Sequence, residues 1–295
     1  MSDATAPFTV ASHVEQSARP RPVRSTILHT VLFIASVLMI YPLLWMLSAS
    51  FKPDTEIFNS SSLIPSNFSL DAYARGWTGL SVSFGTFFTN SLVIAVLSII
   101  GNLAACSVTA FAFSRLEFIG RRFWFGAMLL TMMLPYHVTL IPQYILFLNL
   151  GWVNTILPLV VPKFLAGDAF FIFLMVQFFR GIPKDLQEAA MIDGCGAWRI
   201  YWHVMLPLSV PVLATAAIFT FIWSWEDFLG PLVYLGDVRN YTVALGLRTF
   251  VDSQGQSDWS AVFAMSNLVI VPVFLVFVFF QRFLIAGIAT TGLKG

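Results

Sequence analysis

The chain has 295 residues, 58% of them hydrophobic and only 11% charged, with a formal net charge of +1. Ordinary soluble domains carry roughly 25% charged residues, so this composition, with a mean hydropathy of +0.81, makes the bilayer the expected solvent. The small net charge argues against nucleic acid, or an acidic substrate held by bulk electrostatics. Cys106 and Cys195 stand far apart, and His13, His29, His137 and His203 are scattered; neither set has the spacing of a metal site or a convincing disulfide.

The first 25 residues are polar, with Arg19, Arg21 and Arg24 just before an apolar run. No short apolar stretch there ends in a small-residue cleavage site, so the segment is read as a retained tail rather than a signal peptide. Residues 25–51, 76–114, 123–162, 200–225 and 259–281 contain no Asp, Glu, Lys or Arg. About 20 residues of helix cross the hydrocarbon. The pattern therefore predicts six spans, near 27–49, 87–112, 124–146, 156–178, 206–230 and 260–281. Lys163 and Asp168 interrupt the fourth; they are expected near its outer end or facing a cavity, with snorkelling as the plain account of the lysine. Trp124, Trp152, Tyr201, Trp202, Trp225 and Tyr234 are expected as interfacial rings, and His137 as a residue packed between helices. Between spans, 51–86 and 231–258 form outer segments; Tyr241 to Phe250 is expected partly extended or interfacial, and Asp252 to Gln256 as a turn.

Orientation follows from short-loop cations. Arg19, Arg21, Arg24, Arg115, Arg121, Arg122, Arg180, Lys184, Arg199, Arg282 and Lys294 fall on one side, against Lys52, Arg75, Arg239 and Arg248 on the other. The richer side is expected to be cytoplasmic and to hold both termini. The expected organisation is a cytoplasmic tail over 1–25 and an all-α membrane domain over 26–295, with a cytoplasmic elbow at 180–205.

That elbow is a charge island between apolar runs: Lys184-Asp185, then Glu188-Ala189-Ala190-Met191-Ile192-Asp193-Gly194-Cys195-Gly196, then Arg199. Pro183 suits the first turn of a helix, and Asp185 to Ile192 contains good helix formers with acidic residues leading, as the helix dipole favours. Gly194 and Gly196 are expected to break the helix in a tight turn. A second short helix from Trp198 to Met205 then returns the chain to the bilayer at Leu206-Pro207. A segment this short cannot be an enzyme domain, and its size suits docking against a cytoplasmic partner.

These residues resemble the signature of membrane permease subunits of ATP-binding-cassette importers: Glu-Ala-Ala, three residues, Gly, nine residues, then hydrophobic-x-Leu-Pro, met here by Glu188, Ala189, Ala190, Gly194, Val204, Leu206 and Pro207. Cys195 stands where the family has Ala. The likeness extends over nearly the whole chain to the carbohydrate-importing branch, typified by the smaller permease of maltose transporters. Ser50-Phe-Lys52, Ala112-Phe-Ser-Arg115, Gln177-Phe-Phe-Arg180 and Asp227-Phe-Leu-x-Pro231 carry it, with Glu226 where relatives often have Asn.

The resemblance implies a six-helix type I importer permease in a bacterial or archaeal cell membrane. It implies as partners a second permease subunit, two ATPase subunits and an extracytoplasmic solute-binding protein, with a sugar or oligosaccharide as cargo. No Gly-x-x-x-x-Gly-Lys-Ser/Thr loop is present, so no cofactor is assigned to this chain, and ATP with Mg belongs to the ATPase partners. Glu188, Asp193 and Arg199 are expected to orient the elbow, Ala189, Ala190 and Gly194 to allow close approach, and Pro207 to close the signature. A sugar needs hydrogen-bonding groups and aromatic faces; Asn90, Gln143, Tyr144, Trp223 and Asp227 are the pathway candidates. Glycerol phosphate or another polyol derivative stays open as cargo. The second reading is a secondary carrier driven by an ion gradient, which calls for internal repeats that are not visible here. A membrane enzyme is the third.

Overall fold

The computed structural model describes residues 22–60, 62–251 and 257–292, and among them every regular element is helical. The tail to residue 21 with Arg19 and Arg21, the turn at 252–256, and Lys294 lie outside the described residues. In chain order the α-helices are α1 (Pro22–Ala49), α2 (Asp54–Ile57), α3 (Asp71–Thr78), α4 (Phe84–Arg115), α5 (Arg121–Thr131), α6 (Tyr136–Asn149), α7 (Leu157–Phe164), α8 (Ala169–Gly181), α9 (Lys184–Ile192), α10 (Ala197–Ile200), α11 (Leu206–Leu208), α12 (Val210–Glu226), α13 (Leu229–Tyr234), α14 (Val243–Leu247) and α15 (Trp259–Gly292). A π-helical turn, Tyr201–Met205, joins α10 to α11.

Four stretches are each long and apolar enough to cross a membrane: Thr26–Ala49 in α1, α4, Leu157–Gly181 and Trp259–Arg282 in α15. The count reaches six when two bent pairs are each taken as one span: α5 with α6, bent by 98°, and Ala197–Leu208 with α12, bent by 77°. The expected third span is thus two helices, parted at Met132–Pro135, because Pro135 lacks an N–H and holds its predecessor out of the helical region.

The described residues up to 45 and those from 46 onward form two compact units. In the first, α1 exposes its apolar side chains from Ile27 to Leu44. In the second, α4 is the central post and packs against α7, α8 and α12, while α12 also packs against α15 and α15 against α3. Two buried clusters stack along α4. One gathers Cys106, Ala110 and Phe111 with Phe171, Met175 and Phe179 of α8 and with Ile200, Tyr201 and Met205 of the elbow. The other gathers Phe84, Phe87 and Ala95 with Trp225, Val243, Phe250 and Met265 at the opposite end.

Several expectations change. Of Tyr241 to Phe250 only Tyr241 and Thr242 are extended: α14 and a 3-10 turn, Arg248–Phe250, then turn Val243, Leu245 and Phe250 inward. Tyr201, Trp225 and Tyr234 are not interfacial rings, since each is only 2% exposed. The Trp225 indole N–H donates to the Val269 carbonyl at 3.0 Å, so its polar atom is satisfied inside the protein. His137 is exposed on α6, in ring contact with Tyr136, rather than packed among the chain's own helices. Lys163 finds its partner inside the protein. It pairs with Asp168 at 2.8 Å across a break between α7 and α8, close to the middle of the Leu157–Gly181 stretch.

Candidate functional site

The elbow is ordered by its own backbone. Pro183 precedes α9 in extended conformation, one position earlier than a first-turn proline. At the other end the Gly194 N–H donates to Met191 O at 3.0 Å and the Cys195 N–H to Ala190 O at 2.9 Å. With Gly194 at φ 79°, this is the two-bond glycine termination in which a left-handed residue satisfies the last carbonyls of a helix. Gly196, by contrast, is extended at φ −73° and only leads into α10. A Cβ on Gly194 would meet nothing within 4 Å, so the glycine is there for its backbone conformation, and in this chain alone it relieves no crowding.

Four attachments hold the elbow to the bundle. The Arg115 guanidinium, at the end of α4, donates to the Phe179 carbonyl and, at 2.5 Å, to the Ile182 carbonyl, so it caps α8 just before the elbow begins. The Arg180 guanidinium lies 5.3 Å from the Phe125 ring centre, a cation–π contact with α5. Tyr201 Oη and Ser107 Oγ are hydrogen-bonded at 2.7 Å in the buried core. Ile200 and Met205 are buried beside them. Sequence reading gives Arg115 only as a cytoplasmic cation and Tyr201 as an interfacial ring, and assigns neither an anchoring role; the Ala112-Phe-Ser-Arg115 likeness is the available signal for the first.

Between these anchors α9 buries no residue. Ile192 is 86% exposed, and Met191, Leu186 and Trp198 are exposed with it. The two alanines divide: Ala190 packs against the elbow-side core with Cys195 and Ile182, whereas Ala189 faces outward. Glu188, Asp193 and Arg199 are exposed and take part in no ion pair among the described residues. Pro207 is exposed inside α11, and the chain bends two residues later, at Ser209, rather than at the proline.

The pathway candidates split into separate environments. Gln143 Oε1 lies 3.5 Å from the Tyr234 hydroxyl, and the Tyr144 ring is parallel to that of Tyr234 at 6.4 Å. Asp227 stands at the break between α12 and α13. Asp227 Oδ1 accepts the Gly230 N–H at 3.1 Å. Tyr234 therefore joins Gln143 and Tyr144, although sequence reading does not place it there. Asn90 has another task, donating its side-chain amide to Arg239 O at 2.8 Å and Tyr241 O at 3.0 Å, which pins the 236–242 loop to α4. Trp223 is half exposed among Phe170, Phe171 and Phe219. Beside the Asn90 loop, hydrogen bonds from Arg239 hold the Asp237 carboxyl down to about 2.

The family described as "Binding-protein-dependent transport system inner membrane component" matches residues 103–290, from the second half of α4 to the end of α15 and so across the whole elbow. The chain belongs to that family. As an importer permease it is a multi-pass protein of the cell membrane that works with other permease, ATPase and binding-protein components. The ion-gradient carrier reading finds no support.

Relatives in the family align along almost their full length. The diacetylchitobiose uptake system permease protein NgcG of Streptomyces coelicolor is 35% identical over 91% of this chain and 88% of its own. The arabinooligosaccharides transport system permease protein AraQ of Halalkalibacterium halodurans is also 35% identical, over 93% and 98%. The sn-glycerol-3-phosphate transport system permease protein UgpE of Brucella abortus is 32% identical, over 92% and 98%. A solved bacterial ABC transporter involved in the import of the acidic polysaccharide alginate shares the fold, with a TM-score of 0.78 at 23% identity, covering 88% of this chain and 96% of that one.

Proposed function

We propose that this permease imports a sugar or oligosaccharide, paired with a second permease subunit and driven by two ATPase subunits that use ATP and Mg, with solute delivered by an extracytoplasmic binding protein. The face bearing α9 is cytoplasmic in this reading, as are both termini. The observation that carries it is the elbow itself: a short helix fixed at both ends yet buried nowhere, with Ile192 86% exposed at its tip. Large apolar side chains on an aqueous loop call for a partner surface, and a pre-ordered element loses little entropy on docking.

In this mechanism each ATPase receives one elbow in a groove. Ala189 and the bare Gly194 allow close approach, while Glu188, Asp193 and Arg199 supply free charges that orient it. Closure of the ATPases on ATP draws the elbows together. Force then passes through Arg115, Tyr201 and the α8 backbone into the bundle, and the helices rock from inward- to outward-open. Two relatives are named for oligosaccharides, and Gln143, Tyr144, Tyr234 and Asp227 offer the amide, aromatic and carboxylate groups such a solute needs. Asn90 and Trp223 are kept in the pathway, Asn90 as the residue that shapes the loop at its mouth.

The test is ATP-dependent uptake in liposomes holding the full complex and binding protein. Alanine at Gln143 or Tyr144 should raise the half-saturating solute concentration several-fold without loss of assembly. Unchanged uptake kinetics across alanine variants of Asn90, Gln143, Tyr144, Trp223 and Asp227 would remove the pathway assignment. Solute pumping by the isolated chain would remove the whole reading.

A further inference from the structure

The stretch that leads into the elbow is interrupted where it should be stiffest. Backbone bonding of α7 stops at the Leu165 N–H to Pro162 O bond of 3.2 Å, and α8 starts with the Phe171 and Ile172 N–H groups on Asp168 O. Ala166, between them, sits at φ 55°, a conformation that costs an L residue about 1–2 kcal/mol. A strained, unbonded turn inside a membrane persists only where surrounding groups determine it. Here Lys163 Nζ donates to Asp168 Oδ2 at 2.8 Å, joining the last turn of α7 to the first residue before α8. The two side chains are 29% and 26% exposed, so the pair is shielded but not sealed.

A chain of polar contacts braces the break from behind. Thr220 Oγ1 of α12 accepts from Asn102 Nδ2 at 2.7 Å, Cys106 Sγ donates to Asn102 Oδ1 at 2.9 Å, and the same thiol lies 3.8 Å from Asp168 O. Below the break, α8 runs straight into Ile182-Pro183 and the elbow. Above it, α7 packs against α13, the helix that carries Tyr234. Anything the elbow transmits along this span must cross Leu165–Asp168.

Resting on the function proposed above, we infer that the Lys163–Asp168 ion pair is a positioning element for transport, the tie that makes α7 and α8 move as one rod between the elbow and the Tyr234 region. Neither residue touches solute in this assignment. With the tie cut, α8 follows the elbow while α7 lags. Hydrolysis then continues without a matching movement at the pathway.

The experiment measures solute taken up per ATP hydrolysed, in liposomes carrying the complete importer and its binding protein. Lys163→Met and Asp168→Asn should each lower that ratio by about tenfold, the size of an ordinary coupling free energy between distant sites, with binding-protein stimulation of hydrolysis retained. A lesion that only weakens folding lowers uptake and hydrolysis together and leaves the ratio unchanged, and a wild-type ratio in both variants overturns the inference. Where a single variant assembles poorly, the exchanged pair K163D/D168K decides: recovery of assembly together with the ratio supports the tie, and no recovery of the ratio overturns it. Failure of the wild-type complex to show ATP-dependent uptake counts instead against the proposed function.

Discussion

Two short helices lie in loops on opposite ends of α4, and they meet opposite fates. The elbow helix α9 buries nothing and turns Ile192 and Met191 outward. The loop helix α14 buries Val243, Leu245 and Gly246 against Phe87 and the rest of the opposite core, and Ser91 Oγ accepts the Val243 N–H at 2.9 Å. Both are set by backbone chemistry, one by a glycine termination and the other by a hydroxyl from a neighbouring helix. The difference is in who supplies the packing. The sequence of α14, Val-Ala-Leu-Gly-Leu, finds its apolar partners within the chain, so that loop is finished. The sequence of α9 mixes charged with exposed apolar groups, and only Ala190 finds such a partner. A helix held in place yet left uncovered is an interface awaiting its other half.

The comparison breaks most sharply at the glycines. Gly194→Trp should abolish solute uptake, a loss of about a hundredfold or more, because a bulky group stands on the docking face and a Cβ in the left-handed region costs about 1–2 kcal/mol besides. Gly194→Asn, which tolerates that backbone, should keep most of the helix termination. Membrane insertion and permease pairing should survive in both, as judged by co-purification; normal uptake in Gly194→Trp would end the docking role. Gly246→Val should act differently. Its Cβ collides with the Phe87 ring, and overpacking of this kind costs about 1–3 kcal/mol. The thermal midpoint of the purified complex should fall, while uptake per ATP in surviving complexes stays at the wild-type value. A changed ratio would mean that α14, too, works as a transmission element.

The smallest effect concerns the electrostatics of the α14 end. Arg75 joins Asp258 and Ser260 in a bonded group that clasps α3 to the start of α15. Burial alone would raise the Asp258 carboxyl, but hydrogen bonds from Arg75, Ala261 and Ser260 outweigh it and hold it below the ordinary value. A depressed carboxylate stabilises the fold above its unfolded pKa of about 3.9 and loses that contribution as pH falls through the lower folded value. The thermal midpoint should therefore be level between about pH 7 and pH 5 and decline below that. Asp258→Asn should shrink the decline by a degree or two, about the effect of a half-exposed pair worth up to ~1 kcal/mol. An unaltered profile in the variant would show that the clasp contributes nothing.

Much of this was legible before any coordinates. Apolar runs free of charge located the spans, because lipid tolerates little else, and the spacing from Glu188 to Pro207 located the elbow and the family. The glycine at 194 was readable as a helix stop from its place after a run of helix formers. Side-chain destinations were not readable. Trp225, Tyr234 and Tyr201 look like interfacial rings in sequence, since an aromatic near a span end reads the same whether it faces headgroups or a neighbouring helix. Ala189 and Ala190 are chemically identical neighbours, and only the rotation of α9 about its axis separates the one that faces outward from the one packed on the core.

Sequence by itself determined the solvent, the apolar stretches and the position of the elbow, because these follow from local composition and from spacing along the chain. Tertiary structure alone decided that the third and fifth apolar stretches bend, that Lys163 is tied to Asp168, and that Arg115 caps a helix 64 residues further on. Each of those depends on which groups meet in space, and in a membrane every exposed backbone or charged group must find its partner within the protein, wherever in the chain that partner lies.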